Sequence, residues 1–352
     1  MFNAVDIVVV GRFSGSQSLA AVGATTALIY LFTNLFIGIS LGANVLAARY
    51  YAAGKHEEMS ETVHTAMMFA LISGIIMIFV GLFFSRLALE IMGTPSDVID
   101  QATLYMRIYF LGMPFFMLYN YGAAILRAVG DTKRPLIFLI ISGVVNACLN
   151  MLLVIVFHLD VAGVAIATVT SQFISCVLVI GCLYRTKSSY QLRFSCLKIR
   201  KEYLKPICQV GIPAGIQSTV INFSNALLQS SVNSFGSTTM AGYTAANNIF
   251  GFLYVSVNAI TQACMSFTSQ NYGLRKLKRM DKILIDCLIL TVVVSLVLGG
   301  GVYLFGAEIL RLYTEEAEVI RCGIEIFAYT TVTYFLCGIM DLFPGALRGM
   351  DR

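Results

Sequence analysis

The chain has 352 residues, 58% of them hydrophobic and 12% charged, with a formal net charge of +5 and a mean hydropathy of +0.80. Soluble domains are nearer half apolar and a quarter charged. The composition therefore excludes a soluble globular protein and predicts an all-α polytopic membrane protein. The basic residues lie mostly in short loops, a pattern of membrane topology and not of a nucleic-acid surface.

A membrane-spanning helix needs about 20 apolar residues, and on that scale the sequence predicts ten segments. The first is the stub 1–11, an apolar run holding one carboxylate, Asp6. An ionised Asp in hydrocarbon costs roughly 2.5–3.5 kcal/mol, so such residues face a bundle interior or a wet cavity. The alternative is a place near the span end, where Asp6 would reach the headgroups.

The next segments are 19–48, 62–84, 97–126, 135–157 and 161–184, then a hydrophilic connection, then 204–233, 239–269, 283–305 and 317–347. In the second, Gly38-Ile39-Ser40-Leu41-Gly42 fits G-x-S-x-G, but a nucleophile elbow needs a strand–turn–helix. The same glycines fit G-x-x-x-G, a close-packing face, which is the preferred reading. The fourth carries Arg107, placed to snorkel outward or to pair with a carboxylate.

The fifth segment carries Asn146 and Asn150, four apart and therefore on one helical face. They either bond between helices or offer carbonyl ligands to a cation beside Asp6. In the sixth, Thr168 either adds an oxygen to that cluster or bonds its own i−4 carbonyl. Gln217 and Gln262, in the seventh and eighth segments, line a cavity or bridge helices. Tyr119, Tyr121, Tyr243 and Tyr254 are candidates to hold a cationic ligand by their ring faces. Asp341, in the tenth, is a second intramembrane carboxylate, with pairing to a basic group as the plain alternative.

The nine cysteines show no CxxC and no clustering with histidine, so neither a disulfide framework nor a metal site is expected. The run from His56 to His64 is not H-E-x-x-H, and no Walker phosphate loop occurs. No nucleophile–base constellation argues for an intramembrane enzyme. The loops after the even segments, with the first residues of the segments that follow them, hold 17 Lys and Arg against 4 after the odd ones, which makes the even loops cytoplasmic.

A shift of 221 residues lays Lys55 on Lys276 and Leu126-Arg127 on Leu347-Arg348. It also lays basic loops on basic loops, the mark of two parallel-related six-span bundles about an axis along the membrane normal. The expected organisation is an N-terminal lobe over 1–185, a cytoplasmic linker over 186–203 and a C-terminal lobe over 204–352. By the same repeat about 18 residues are expected before Met1 and about 54 after Arg352. A twelve-span protein with ten spans present is the result. A truncated chain without transport activity is one reading of that arithmetic.

Several stretches together resemble the multidrug and toxic compound extrusion (MATE) family, in its bacterial form. They are Ala4 to Arg12 with Leu19 to Gly23, Gly122 to Pro135, Asn146 to Asn150, Gly163 to Thr168, Gly211-Ile212-Pro213-Ala214-Gly215 and Gly345 to Gly349. The resemblance implies two six-helix lobes around a central cavity, and export of organic cations or amphipathic compounds in exchange for Na⁺ or H⁺. It implies no cofactor, no metal beyond a coupling Na⁺, and a monomer in the plasma membrane with its N-terminus cytoplasmic. It carries a cation or proton site onto Asp6, Asn146 and Thr168. Asn150 stands where many relatives have Asp, which leaves Na⁺ against H⁺ open, and the family's acid in the seventh span has no counterpart here. Asp341, Gln217, Gln262, Tyr119 and Arg107 are the candidates for the substrate cavity. A lipid-linked oligosaccharide flippase of the same architecture is the alternative, and it would want a more basic cavity.

Overall fold

The computed structural model describes Asp6, Val9 and residues 15–96, 98–233, 237–311 and 316–350. No strand occurs among these residues. The helices are α1 (Gly15–Ala52), α2 (His56–Ile91), α3 (Ile99–Leu111), α4 (Met113–Ala128) and α5 (Lys133–Met151). They continue with α6 (Asp160–Arg185), α7 (Lys201–Asn233), α8 (Ser237–Gly273), α9 (Leu277–Arg311) and α10 (Ala317–Gly349).

Among the described residues six helices are long and apolar enough to cross a membrane, and up to eight spans result if each of two bent pairs counts as one. Two of the ten expected segments are not among these. Of the stub 1–11 only Asp6 and Val9 are described, both helical, so that span lies outside the described residues. The seventh, α7, has 33 residues, ample at about 1.5 Å each. Its amides and hydroxyls, Gln209, Gln217, Ser218, Thr219, Asn222 and Ser224 among them, hold its hydropathy down.

The expected unbroken fourth span is instead α3 and α4, bent by 49°. Gly112-Met113-Pro114 supplies the cause: Pro114 has no N–H to give the preceding turn, and it disfavours helical geometry in the residue before it. The tenth bends by 53° between Thr331 and Thr333; Pro344 lies well downstream and does not account for it.

The chain divides into two compact units, Met1–Thr219 and Val220–Arg352. In the first, α4 packs against α1, α2 and α6, and α3 against α1, α2 and α6, around fully buried Tyr105, Phe110, Met113, Met117 and Tyr121. The start of α7 joins this unit through glycine. A Cβ on Gly38 would collide with the backbone of Gly215, one on Gly42 with Ile207, and one on Gly211 with Ile39. The close-packing face expected at Gly38 and Gly42 is present, and it is met by a second G-x-x-x-G, Gly211 and Gly215. In the second unit α8, α9 and α10 pack on one another around Ile249, Leu253, Val257 and Phe327. Outward faces carry large apolar side chains such as Phe83, Phe157, Phe252 and Leu304, as a lipid-facing surface requires.

Candidate functional site

The polar residues of α5 and α6 converge on Asp6. Asn146 and Asn150 are both fully buried, on one face of α5 as their spacing demands. After Asn150 the helix widens into a π-turn, Leu152–Val156, a feature that clusters at functional sites. The chain then reverses within residues 157–159 and enters α6 through His158 and Asp160, both at positive φ. This tight connection sets α6 against α5 and brings Thr168 opposite the two amides.

Asp6 is 1% exposed. Asn150 Nδ2 donates to its Oδ1 at 2.7 Å, and the Thr168 hydroxyl donates to its Oδ2 at 2.8 Å. Behind them Asn146 Nδ2 donates to Thr168 Oγ1 at 3.3 Å, and Asn150 Nδ2 reaches Asn146 Oδ1 at 3.3 Å. Asp6 thus turns inward and not to the headgroups, and Thr168 bonds the carboxylate instead of its i−4 carbonyl. Because the Asn150 amide must turn its NH₂ to a carboxylate, its oxygen is left over. That oxygen is buried without a hydrogen-bond partner, an unusual condition for a buried acceptor.

A cavity of about 330 Å³, open solvent included, lies against this cluster. Asp6 and Thr168 line it, with Thr26, Ile29 and Tyr30 from α1 and Tyr105 and Tyr109 from α3. Tyr105 and Tyr109 stack with centroids 6.0 Å apart. These tyrosines and Thr26 were not singled out in the sequence. Their signal was an i,i+4 pairing, Thr26 with Tyr30 and Tyr105 with Tyr109, inside otherwise apolar helices.

The remaining candidates lie elsewhere. Tyr119 donates its hydroxyl to Pro135 O at 3.0 Å and Tyr121 donates to Phe36 O at 3.1 Å, so both tie helices together. Arg107 is exposed on α3, and Gln217 is half-buried on α7. In the second unit Gln262 donates to Asn258 Oδ1 at 2.7 Å and Asn258 to Tyr254 Oη at 3.4 Å, a polar ladder along α8. Asp341 is half-buried on α10, and its charge interacts with that of Arg348, two turns on. Among the described residues no three His, Cys, Asp or Glu side chains gather to hold a metal.

Long apolar helices around a buried, amide-held carboxylate define a multi-pass membrane protein with a polar interior. The MatE family model matches residues 1–152 and 213–352, and the chain belongs to this family of membrane transporters. It is 29% identical over 353 residues to the probable multidrug resistance protein YoeA of Bacillus subtilis strain 168, spanning 98% of this chain and 76% of that protein. It is 22% identical over 353 residues to the multidrug export protein MepA of Staphylococcus aureus strain NCTC 8325, spanning 100% of this chain and 78% of that one. Among solved structures, an outward-facing multidrug resistance MATE family transporter matches with a TM-score of 0.93 at 22% identity, covering 99% of this chain and 78% of that one. A MATE crystal structure in the bent conformation matches at 0.91 and 21%, with the same coverage. At such identity these structures speak for the fold alone.

Proposed function

We propose that this chain exports organic cations and amphipathic compounds across the plasma membrane in exchange for Na⁺ or H⁺ bound at Asp6. The single observation behind the reading is a buried carboxylate that is held by donors from two helices and also opens on a cavity. For Na⁺ the carboxylate oxygens and the spare Asn150 oxygen are hard ligands of the right type. For H⁺ the carboxylate itself is the acceptor.

The chemistry follows from competition. A cation bound at Asp6 neutralises the charge that would attract an organic cation into the same cavity, where tyrosine faces offer cation–π contacts. Ion and passenger then occupy the site in turn, and each shifts the balance of inward- and outward-open states only by its differential affinity for them. The basic loops imply a cytoplasmic N-terminus, and the transporter is proposed to act as a monomer.

The test is efflux from proteoliposomes with Na⁺ and pH gradients imposed separately. Substrate movement driven by one gradient identifies the ion. Movement indifferent to both gradients, and unchanged in Asp6→Asn, would sink the reading.

A further inference from the structure

The connection between α6 and α7 is bonded across the start of α2, and the central bond of the set is one that a proton must break. His64 is buried, with 2% of its surface exposed. Its Nδ1 faces Ser60 O at 2.6 Å, a carbonyl that can only accept, so Nδ1 carries the hydrogen. Its Nε2 is therefore the bare nitrogen of a neutral ring, and it accepts the backbone N–H of Arg193 at 3.0 Å. Ser60 Oγ lies 3.4 Å from Nδ1 as well.

Around this bond the connection is fastened at further points. Leu192 is buried and its N–H donates to Leu183 O at 3.1 Å. The Thr65 hydroxyl donates to Lys198 O at 3.4 Å and accepts from the Arg200 N–H at 3.3 Å. Arg200 pairs with Glu61 at 2.6 Å. Residues 186–200 thus form a strap, and the strap is the covalent lead into α7, whose chain passes from one compact unit into the other.

We infer that this strap is a proton-released latch: neutral His64 holds it closed, and protonation of His64 frees it. An imidazolium has two N–H groups and no acceptor, so its Nε2–H would point at the Arg193 N–H. One hydrogen bond becomes a donor–donor contact inside a buried site. The charged groups on the elements that meet here carry both signs. They are Glu58 and Glu61 on α2, Arg193, Lys198 and Arg200 on the strap, and Arg49 at the end of α1. Glu61 is engaged by Arg200 and Glu58 by Lys55 at 3.2 Å, and both ring nitrogens go to the backbone, so no carboxylate is bonded to the ring to welcome its charge. The inference concerns the strap and stands apart from the ion used at Asp6.

The experiment is hydrogen–deuterium exchange of the full chain in lipid nanodiscs, following peptides over residues 186–200 at pH 8 and pH 5. Rates are normalised to the denatured chain at each pH. The wild-type strap should lose protection several-fold to about tenfold at pH 5, the worth of one buried hydrogen bond. His64→Gln keeps an acceptor oxygen without a titrating group, so its strap should be protected equally at both values. His64→Ala should be unprotected at both; if it fails to fold, the comparison of wild type with His64→Gln still decides. Equal protection of the wild type at the two pH values would overturn the latch. Acid release that persists in His64→Gln would assign it to the Glu61–Arg200 pair, and would overturn it too.

Discussion

Thr168 and Asn150 grip opposite oxygens of Asp6 from different helices, at 2.8 and 2.7 Å. The grip makes a carboxylate tolerable inside the bundle, since buried charge persists where it is paired or hydrogen-bonded. Asp6→Asn removes the charge and keeps the size. The burial cost of a charge disappears with it, while one of the two donors comes to face the new NH₂, so the variant is expected to express and to melt near the wild-type temperature. Ion-driven efflux in proteoliposomes is expected to vanish. Wild-type efflux by this variant under an imposed ion gradient contradicts the role given to Asp6.

The Thr168 hydroxyl does two jobs, donating to Asp6 and accepting from Asn146. Thr168→Val deletes both at nearly constant volume. Hydrogen bonds to charged groups are worth about 1.5–3 kcal/mol net, so affinity for the coupling ion should change by roughly tenfold to a hundredfold. Thr168→Ser, which keeps the hydroxyl, should stay near wild type. The measurement is efflux rate against ion concentration; equal curves for Val and Ser would assign Thr168 a packing role only.

Asn150→Asp exchanges a donor for a second carboxylate at hydrogen-bond distance from the first. Two carboxylates that close share a proton, because both cannot ionise together. Efflux by this variant is expected to depend more steeply on pH than wild type. A pH profile identical to wild type would mean that side chain 150 has moved away from Asp6.

The cluster itself was legible from residue types. A lone acid in an apolar run, two amides one helical turn apart and a threonine in the following span each admit an inward polar face beside a plainer alternative, and the structure joins those faces. The spare oxygen of Asn150 was not legible, because it depends on which way the amide turns. Nor was the wall of the cavity: tyrosines at helical spacing look the same whether they pack or line a pocket. The bend at Gly112 had its signal in Pro114 but was overridden by unbroken hydropathy across the segment. The His64 latch joins residues far apart in the chain through a backbone N–H, which no side-chain pattern announces.

Tyr119 spends its hydroxyl on the carbonyl of Pro135, at the first turn of α5. Tyr119→Phe should therefore cost about 0.5–1.5 kcal/mol of stability, read as a lower melting temperature in detergent. Substrate preference across a panel of organic cations should not move. A changed preference would put the ring in the cavity after all.

The last expectation concerns the crossing of α1 and α7. Gly38 and Gly42 meet Gly211, Gly215 and Ile207 so closely that any Cβ on Gly38, Gly42 or Gly211 runs into backbone. Membrane helices lack a hydrophobic drive toward one another, so such contact depends on small residues letting backbones approach. Backbone atoms cannot swing aside as a side-chain tip can, and the whole helix must retreat. Gly38→Ala or Gly211→Ala should each cost about 1–3 kcal/mol, the usual range for overpacking. Gly181, about one turn before the end of α6, is the control, because its Cβ would meet nothing within 4 Å. Gly181→Ala should be neutral or mildly stabilising, since alanine is the better helix former by about 1 kcal/mol. Size-exclusion melting curves of the three variants make the comparison. If Gly38→Ala melts with Gly181→Ala, the helices do not pass as closely as the structure has them.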